Sequence, residues 1–191
     1  MGAIDELPLL QRHRLTVDEY YRMAEVGVLA PDARVELIDG EIIDMAPQKS
    51  RHASVVNELM RRLMRCAGDR ALVTCQTPLR LSQRSEPGPD LMLLRPRADG
   101  YAQAHPNAAD VLLLIEVADS SARYDREIKL PLYARHGVAE VWIVDLEAGL
   151  LRQRRQPAGE SYAQAADTAT PGTALLPGLP GADIDLSGLL A

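Results

Sequence analysis

Eight consecutive residues near the middle of the chain, Val111-Leu112-Leu113-Leu114-Ile115-Glu116-Val117-Ala118, are apolar except for one. A run of Val, Leu and Ile with no polar alternation describes a strand buried on both faces. Such a strand needs covering layers on each side, so the chain must build a sheet flanked by helices. The neighbouring segments agree. Ser121 to His136 has a helical pattern, with Tyr124, Ile128 and Leu132 inward and Gly137 at its end, and Ala139 to Asp145 is a second buried strand. Residues 111–145 therefore read as a βαβ unit with parallel strands and a right-handed crossover. Pro131 should kink the helix, because it has no N–H to offer the Glu127 carbonyl.

The remaining elements follow from local signals. Thr16-Val17-Asp18-Glu19 is a capping box opening a helix to about Gly27, with Tyr20, Met23 and Ala24 inward. Arg34 to Met45 reads as two strands joined at Asp39-Gly40, a strong hairpin signal. A second helix, about Ser50 to Cys66, is capped by Ser50, carries Val55, Val56, Leu59, Met60, Leu63 and Met64 on one face, and ends at Gly68. A strand region spans Ala71 to Leu81, interrupted at Pro78; a loop, Ser82 to Pro89, precedes a short strand, Asp90 to Leu94; and Arg95 to Asp110 is a polar loop. After Asp145 the chain hairpins through Gly149 into Leu150–Arg155, and the tail from Pro157 is mostly loop with short strands. The expectation is one α/β domain over 1–191, α+β in its mixing. Its core, about 34–155, runs helix–three strands–helix–strand around a mixed central sheet. An N-terminal helix and hairpin precede it, and a strand and loop extension, 156–191, follows.

Composition excludes several classes. With 191 residues and 47% hydrophobic content a sizeable core can form, although Phe is absent and there is one Trp. No apolar run approaches the roughly 18 residues of a membrane helix. Met1 to Leu10 carries Asp5 and Glu6 and does not read as a signal peptide, and Glu6 occupies the place where N-myristoylation wants Ser or Thr. Cys66 and Cys75 make neither a disulfide framework nor a zinc site. A soluble, cytoplasmic protein without a membrane partner is expected. The formal net charge of −6 argues against a protein that coats nucleic acid, but it leaves room for a local basic cleft or a bound cation.

Glu116 is the anomaly of the buried strand. A carboxylate there costs several kcal/mol unless it is paired or holds a metal. The plainer alternative is a salt bridge to an arginine at the sheet's end. Asp90, after Pro89, starts a strand expected to pair with the one carrying Glu116. Two carboxylates on adjacent strands can share one hard cation, and Mg²⁺ needs only one or two of them. Lys129 follows on the next helix, bordering the apolar stripe. Only two of the 21 basic residues are lysines, Lys49 and Lys129, so a Lys at this place hints at a need for a compact ammonium. A solvated Lys129 paired with Asp125 is the alternative. His52 lies one turn before Val55 and Val56 and faces inward, either toward a site carboxylate or as a buried cap. Arg61, Arg62 and Arg65 form a basic helix face, and Arg152, Arg154 and Arg155 a basic strand; both read first as solvated surface.

These residues in this order resemble a known family. Leu15-Thr16-Val17-Asp18-Glu19-Tyr20, Glu36-Leu37-Ile38-Asp39-Gly40-Glu41, His52, Pro89-Asp90, Glu116-Val117, Asp125 with Lys129 and Tyr133, and Gly137 through Asp145 are similar to the Uma family, within the PD-(D/E)XK, restriction-endonuclease-like superfamily. The resemblance implies a restriction-endonuclease-like fold and metal-dependent cleavage of DNA with Mg²⁺ or Mn²⁺. Asp90 and Glu116 would bind the metal, Glu36 would complete its shell or hold a water, and His52 and Tyr133 would be accessory; for Glu36 a cross-strand pairing with an arginine is the alternative. The superfamily motif has its Lys at the position of Ala118, a departure that leaves Lys129 as the replacement. Cutting both strands of a duplex would favour a homodimer. A catalytically inactive nuclease fold, kept as a nucleic-acid-binding or protein-interaction module, is the second reading. A hydrolase of another phosphate ester is the third.

Overall fold

The computed structural model describes residues 12–30 and 32–190, so the reading of Met1 to Leu10 lies outside the described residues. The chain resolves into two compact units, one comprising residues up to Met45 with Leu81–Pro87, the other Ala46–Arg80 with Gly88–Ala191.

In the smaller unit the capping box forms as written. The Thr16 backbone N–H donates to Glu19 Oε2 at 2.7 Å and the Glu19 N–H to Thr16 Oγ1 at 3.3 Å, opening α1 (Val17–Glu25). Val17 is its buried residue; Tyr20 and Met23 are half-buried, and Ala24 is exposed rather than inward. The hairpin β1 (Val35–Ile38) and β2 (Glu41–Asp44) turns at Asp39 and Gly40, both left-handed with φ 49° and 80°. Two successive positive φ values make the tight turn whose twist suits a hairpin. A Cβ on Gly40 would stand 2.8 Å from Arg14 Cβ and 2.9 Å from the Leu15 nitrogen, so glycine is needed there for space as well as conformation.

The larger unit is built on a six-stranded sheet in the order β3-β4-β5-β6-β7-β8. Its strands are β3 (Leu72–Cys75), β4 (Leu91–Leu94), β5 (Val111–Ala118), β6 (Glu140–Asp145), β7 (Leu150–Ala158) and β8 (Ser161–Thr168). Only β5 and β6 are parallel; every other pair is antiparallel, so the sheet is mixed as expected. All eight residues of β5 and all six of β6 are buried. Register fixes which side chains share a face. Leu91, Ile115 and Trp142 lie across from one another, and with Leu93, Leu113, Val117, Val144 and Leu151 they form an apolar face. That face packs on Val56, Leu59, Leu63 and Ala67 of α2 (Ser50–Ala67) and on Leu176, Ile184 and Leu189 of the C-terminal segment. The opposite face carries the row Glu116, Ile143, Arg152, Asp167.

Several local expectations change. Ser50 is the first residue of α2, not its cap; Lys49 precedes it with no side-chain cap bond. Met64 is exposed, because the buried stripe runs Val56, Leu59, Leu63, Ala67 and leaves Met64 beside it. Pro78 stands beyond β3, which closes at Cys75. The tail supplies β8, a full eight-residue strand of the main sheet, besides the short pair β9 (Thr173–Leu175) and β10 (Asp183–Asp185). The helix after β5 is continuous but not uniform. It comprises α3 (Ala122–Tyr124), a π-helical turn over Asp125–Lys129, and α4 (Leu130–Arg135) with Pro131 in its first turn. Ile128, expected inward, is 46% exposed, while Asp125 and Lys129 are buried.

Candidate active site

Strand pairing brings the two carboxylates together. Leu91 lies opposite Ile115, so Asp90, one residue earlier, comes level with Glu116. The Asp90 N–H donates to Glu116 Oε2 at 3.3 Å. Asp90 Oδ2 accepts from the Val117 N–H at 2.9 Å and from His52 Nε2 at 3.1 Å. A carboxylate only accepts, so Nε2 carries the proton in this pair. His52 reaches Asp90 from the first turn of α2, where it is buried. Glu116 Oε1 accepts from Lys129 Nζ at 3.2 Å and from the Tyr133 hydroxyl at 2.5 Å. Asp90, Glu116, His52, Lys129 and Tyr133 thus form one connected cluster, on β4, β5, α2 and the helical segment after β5. Glu36 is not in it. It is buried on β1 of the smaller unit, and the residue facing it across the hairpin is Ile43, not an arginine.

Among the described residues, three carboxyl groups, Asp90, Glu116 and Asp125, are buried beside one buried ammonium, that of Lys129. Burial pushes the Glu116 carboxyl up to about 8; Lys129 pulls it down, Asp125 and Asp90 push it further up, and the Tyr133 hydrogen bond pulls it down again. The thiol of Cys75 is raised by burial and by the Asp90 charge. Asp125, which the sequence offered only as a partner for a solvated Lys129, acts on the cluster as well. Its Oδ2 accepts from Ser121 Oγ at 2.7 Å, and it is close enough to act on Glu116. The signal for it was the regular spacing Asp125, Lys129, Tyr133.

The donor set suits a hard divalent cation. Each hydrogen bond within the cluster is accepted by a carboxylate oxygen, and they concentrate on Asp90 Oδ2 and Glu116 Oε1. Glu116 Oε2 receives only the long bond from the Asp90 amide, which leaves lone pairs for an ion. Among the described residues no group of three or more His, Cys, Asp or Glu side chains gathers as a metal cage. A two-carboxylate site matches Mg²⁺, which keeps most of its shell as water or phosphate oxygen.

The basic patches are less available than their sequence suggested. Arg61 and Arg62 grip Glu58, and Arg62 Nη1 also donates to the Asp185 carbonyl at 2.7 Å. Arg152 joins Asp145 and Asp167, Arg154 joins Asp167 at 2.6 Å, and Arg155 joins Glu140 at 2.8 Å. These arginines tie the sheet's far strands together.

Residues 17–187 match the family model Uma2, described as "Putative restriction endonuclease". The chain belongs to the Uma2 family. A similar solved structure is the crystal structure of a putative nuclease belonging to DUF820 from Anabaena variabilis ATCC 29413. It superposes with a TM-score of 0.70 at 17% identity, covering 92% of this chain and 97% of that one. At that identity the likeness establishes the shared fold, a nuclease-like mixed sheet with helices. Comparison with curated proteins returns no match. No helix among the described residues of this Uma2 protein is long and apolar enough to cross a membrane.

Proposed function

We propose that this Uma2 protein is a metal-dependent endonuclease that hydrolyses DNA phosphodiester bonds, with Asp90 and Glu116 as metal ligands and Lys129 as the ammonium beside them. The observation that carries the proposal is the level placement of Asp90 and Glu116 on paired strands with Lys129 Nζ held 3.2 Å from Glu116 Oε1. Family membership supports the nuclease class. A bound Mg²⁺ or Mn²⁺ would polarise the phosphodiester and lower the pKa of a water for attack. The protein's own residues do the rest. His52 and the Val117 amide fix Asp90 through Oδ2, and Tyr133 and Lys129 fix Glu116 through Oε1, so both carboxylates are presented without rotational freedom. Lys129 stands ready to orient a water and to offset charge developing on a phosphate oxygen, the role its superfamily assigns to the position of Ala118.

Supercoiled plasmid incubated with Mg²⁺ or Mn²⁺ tests the reading. Nicking or linearisation by the wild type, lost with chelator and lost in Asp90→Asn, supports it. Binding of duplex DNA with no cleavage under either metal refutes it in favour of the inactive binding module, a reading that buried Ala118 at the motif position favours. Sedimentation with and without a duplex oligonucleotide tests the proposed homodimer.

A further inference from the structure

Asp125, Lys129 and Tyr133 stand four residues apart and all three are buried. In a regular α-helix each four-residue step overshoots a full turn by about 40°, so residues eight apart diverge by roughly 80°. Tyr124, Ile128 and Leu132 drift by the same amount, but they are the apolar set, so in a regular register Ile128 would take the inward face and Lys129 would only border it. The structure departs from this register at one place. The Leu130 N–H donates to the Asp125 carbonyl, five residues back rather than four. The extra residue held in that turn offsets the overshoot. Lys129, 3% exposed, turns to Glu116, and Ile128, 46% exposed, turns outward.

The cause lies two residues beyond the turn. Pro131 has no N–H, and on a continuous α-helical course its ring would collide with the Glu127 carbonyl. Widening the turn before it moves that carbonyl away, so the proline is accommodated inside a helix whose backbone stays α-helical at Tyr124, Asp125, Lys129 and Leu130. π-helical turns of this kind recur at functional sites. Here the exchange is specific: an isoleucine gives up the inward position to a lysine.

We infer that Pro131 is a positioning residue of the site: by denying the regular helical register it commits Lys129, rather than Ile128, to face Glu116. The activity consequence rests on the nuclease reading above; the geometric claim does not. The competing cause is the site itself, with the bonds from Lys129 and Tyr133 to Glu116 holding the turn open while Pro131 merely fits.

Lysine labelling separates the two. The chain has two lysines, Lys129 buried and Lys49 with 64% of its side chain exposed, so Lys49 is an internal reference. Full-length wild type, Pro131→Ala and Glu116→Gln are treated with an amine-acylating reagent without added metal and read by peptide mass spectrometry. In the wild type Lys129 should label on the order of tenfold or more slowly than Lys49, as burial dictates. In Pro131→Ala that ratio should shrink severalfold while the urea midpoint holds or rises, since alanine is the better helix former. Plasmid cleavage by Pro131→Ala should fall on the order of tenfold in kcat, with KM little changed. Stability and activity then move apart, which loss of packing alone would not produce. The inference is overturned if Lys129 stays protected in Pro131→Ala, if Glu116→Gln alone frees it, or if Pro131→Ala is simply less stable. Should the wild type cleave nothing, the nuclease reading fails and the labelling ratio still decides the role of Pro131.

Discussion

Replacing Glu116 by Gln should stabilise the metal-free protein at alkaline pH while abolishing cleavage. The free Glu116 carboxyl titrates near its ordinary 4.5 when the chain unfolds, but burial and the neighbouring Asp125 and Asp90 hold it at about 8 in the fold. The folded state therefore binds this proton more tightly. Stability from it is fully present below 4.5, declines as pH rises toward about 8, and is lost above that value. At about 1.4 kcal/mol per pH unit the interval sets a ceiling on the order of 5 kcal/mol. For a chain of this length each kcal/mol moves the melting midpoint by roughly 2–4 °C, so even a third of the ceiling is several degrees. The assay is differential scanning calorimetry of chelator-treated wild type and Glu116→Gln from pH 5 to 9. The wild type should lose several degrees more than the variant across that range, and saturating Mg²⁺ should restore much of the loss in the wild type only. Titrating groups away from the cluster contribute equally to both proteins and cancel in the difference, so the difference reports Glu116 with the groups coupled to it. Parallel curves would refute the claim that the buried Glu116 charge is poorly compensated.

Further outcomes follow from the same geometry. His52→Ala removes the side chain that fixes Asp90 Oδ2, and should raise the Mg²⁺ concentration for half-maximal cleavage on the order of 10–100-fold, read from a metal titration; unchanged metal dependence would make His52 a structural residue. Gly40→Ala meets both a φ of 80° and backbone at 2.9 Å, and should cost about 2 kcal/mol or more by urea unfolding with an unchanged m-value. A neutral Gly40→Ala would mean that the turn relaxes freely.

What the sequence revealed and what it concealed differ in kind. Signals carried by one or two neighbours survived: the Thr16–Glu19 box, the Asp39-Gly40 turn and the bounds of β5 all stand where the residues place them. The pairing of Asp90 with Glu116 was also legible, because an unbroken apolar run with one carboxylate states its own electrostatic problem. The tail's β8 was hidden because Ser161–Thr168 is mostly small and polar, and it joins the sheet as an exposed edge that needs no apolar pattern.

The most instructive difference is the one-residue rotation at Lys129. Periodicity assigns the inward face by counting from Tyr124 in steps of 3.6 residues, and on that count the isoleucine wins and the lysine stays at the margin. The hydrophobic term favours the same outcome, since burying Ile128 would gain roughly 2 kcal/mol that its 46% exposure forgoes in part. The fold instead buries an ammonium on a carboxylate, an exchange that packing alone would not select. Pro131 supplies the missing reason within the sequence: it excludes the register in which the count is valid. A proline inside a helix that follows a strand with a buried acid is therefore information about the site as well as about the helix. The periodic count should be restarted there rather than carried through.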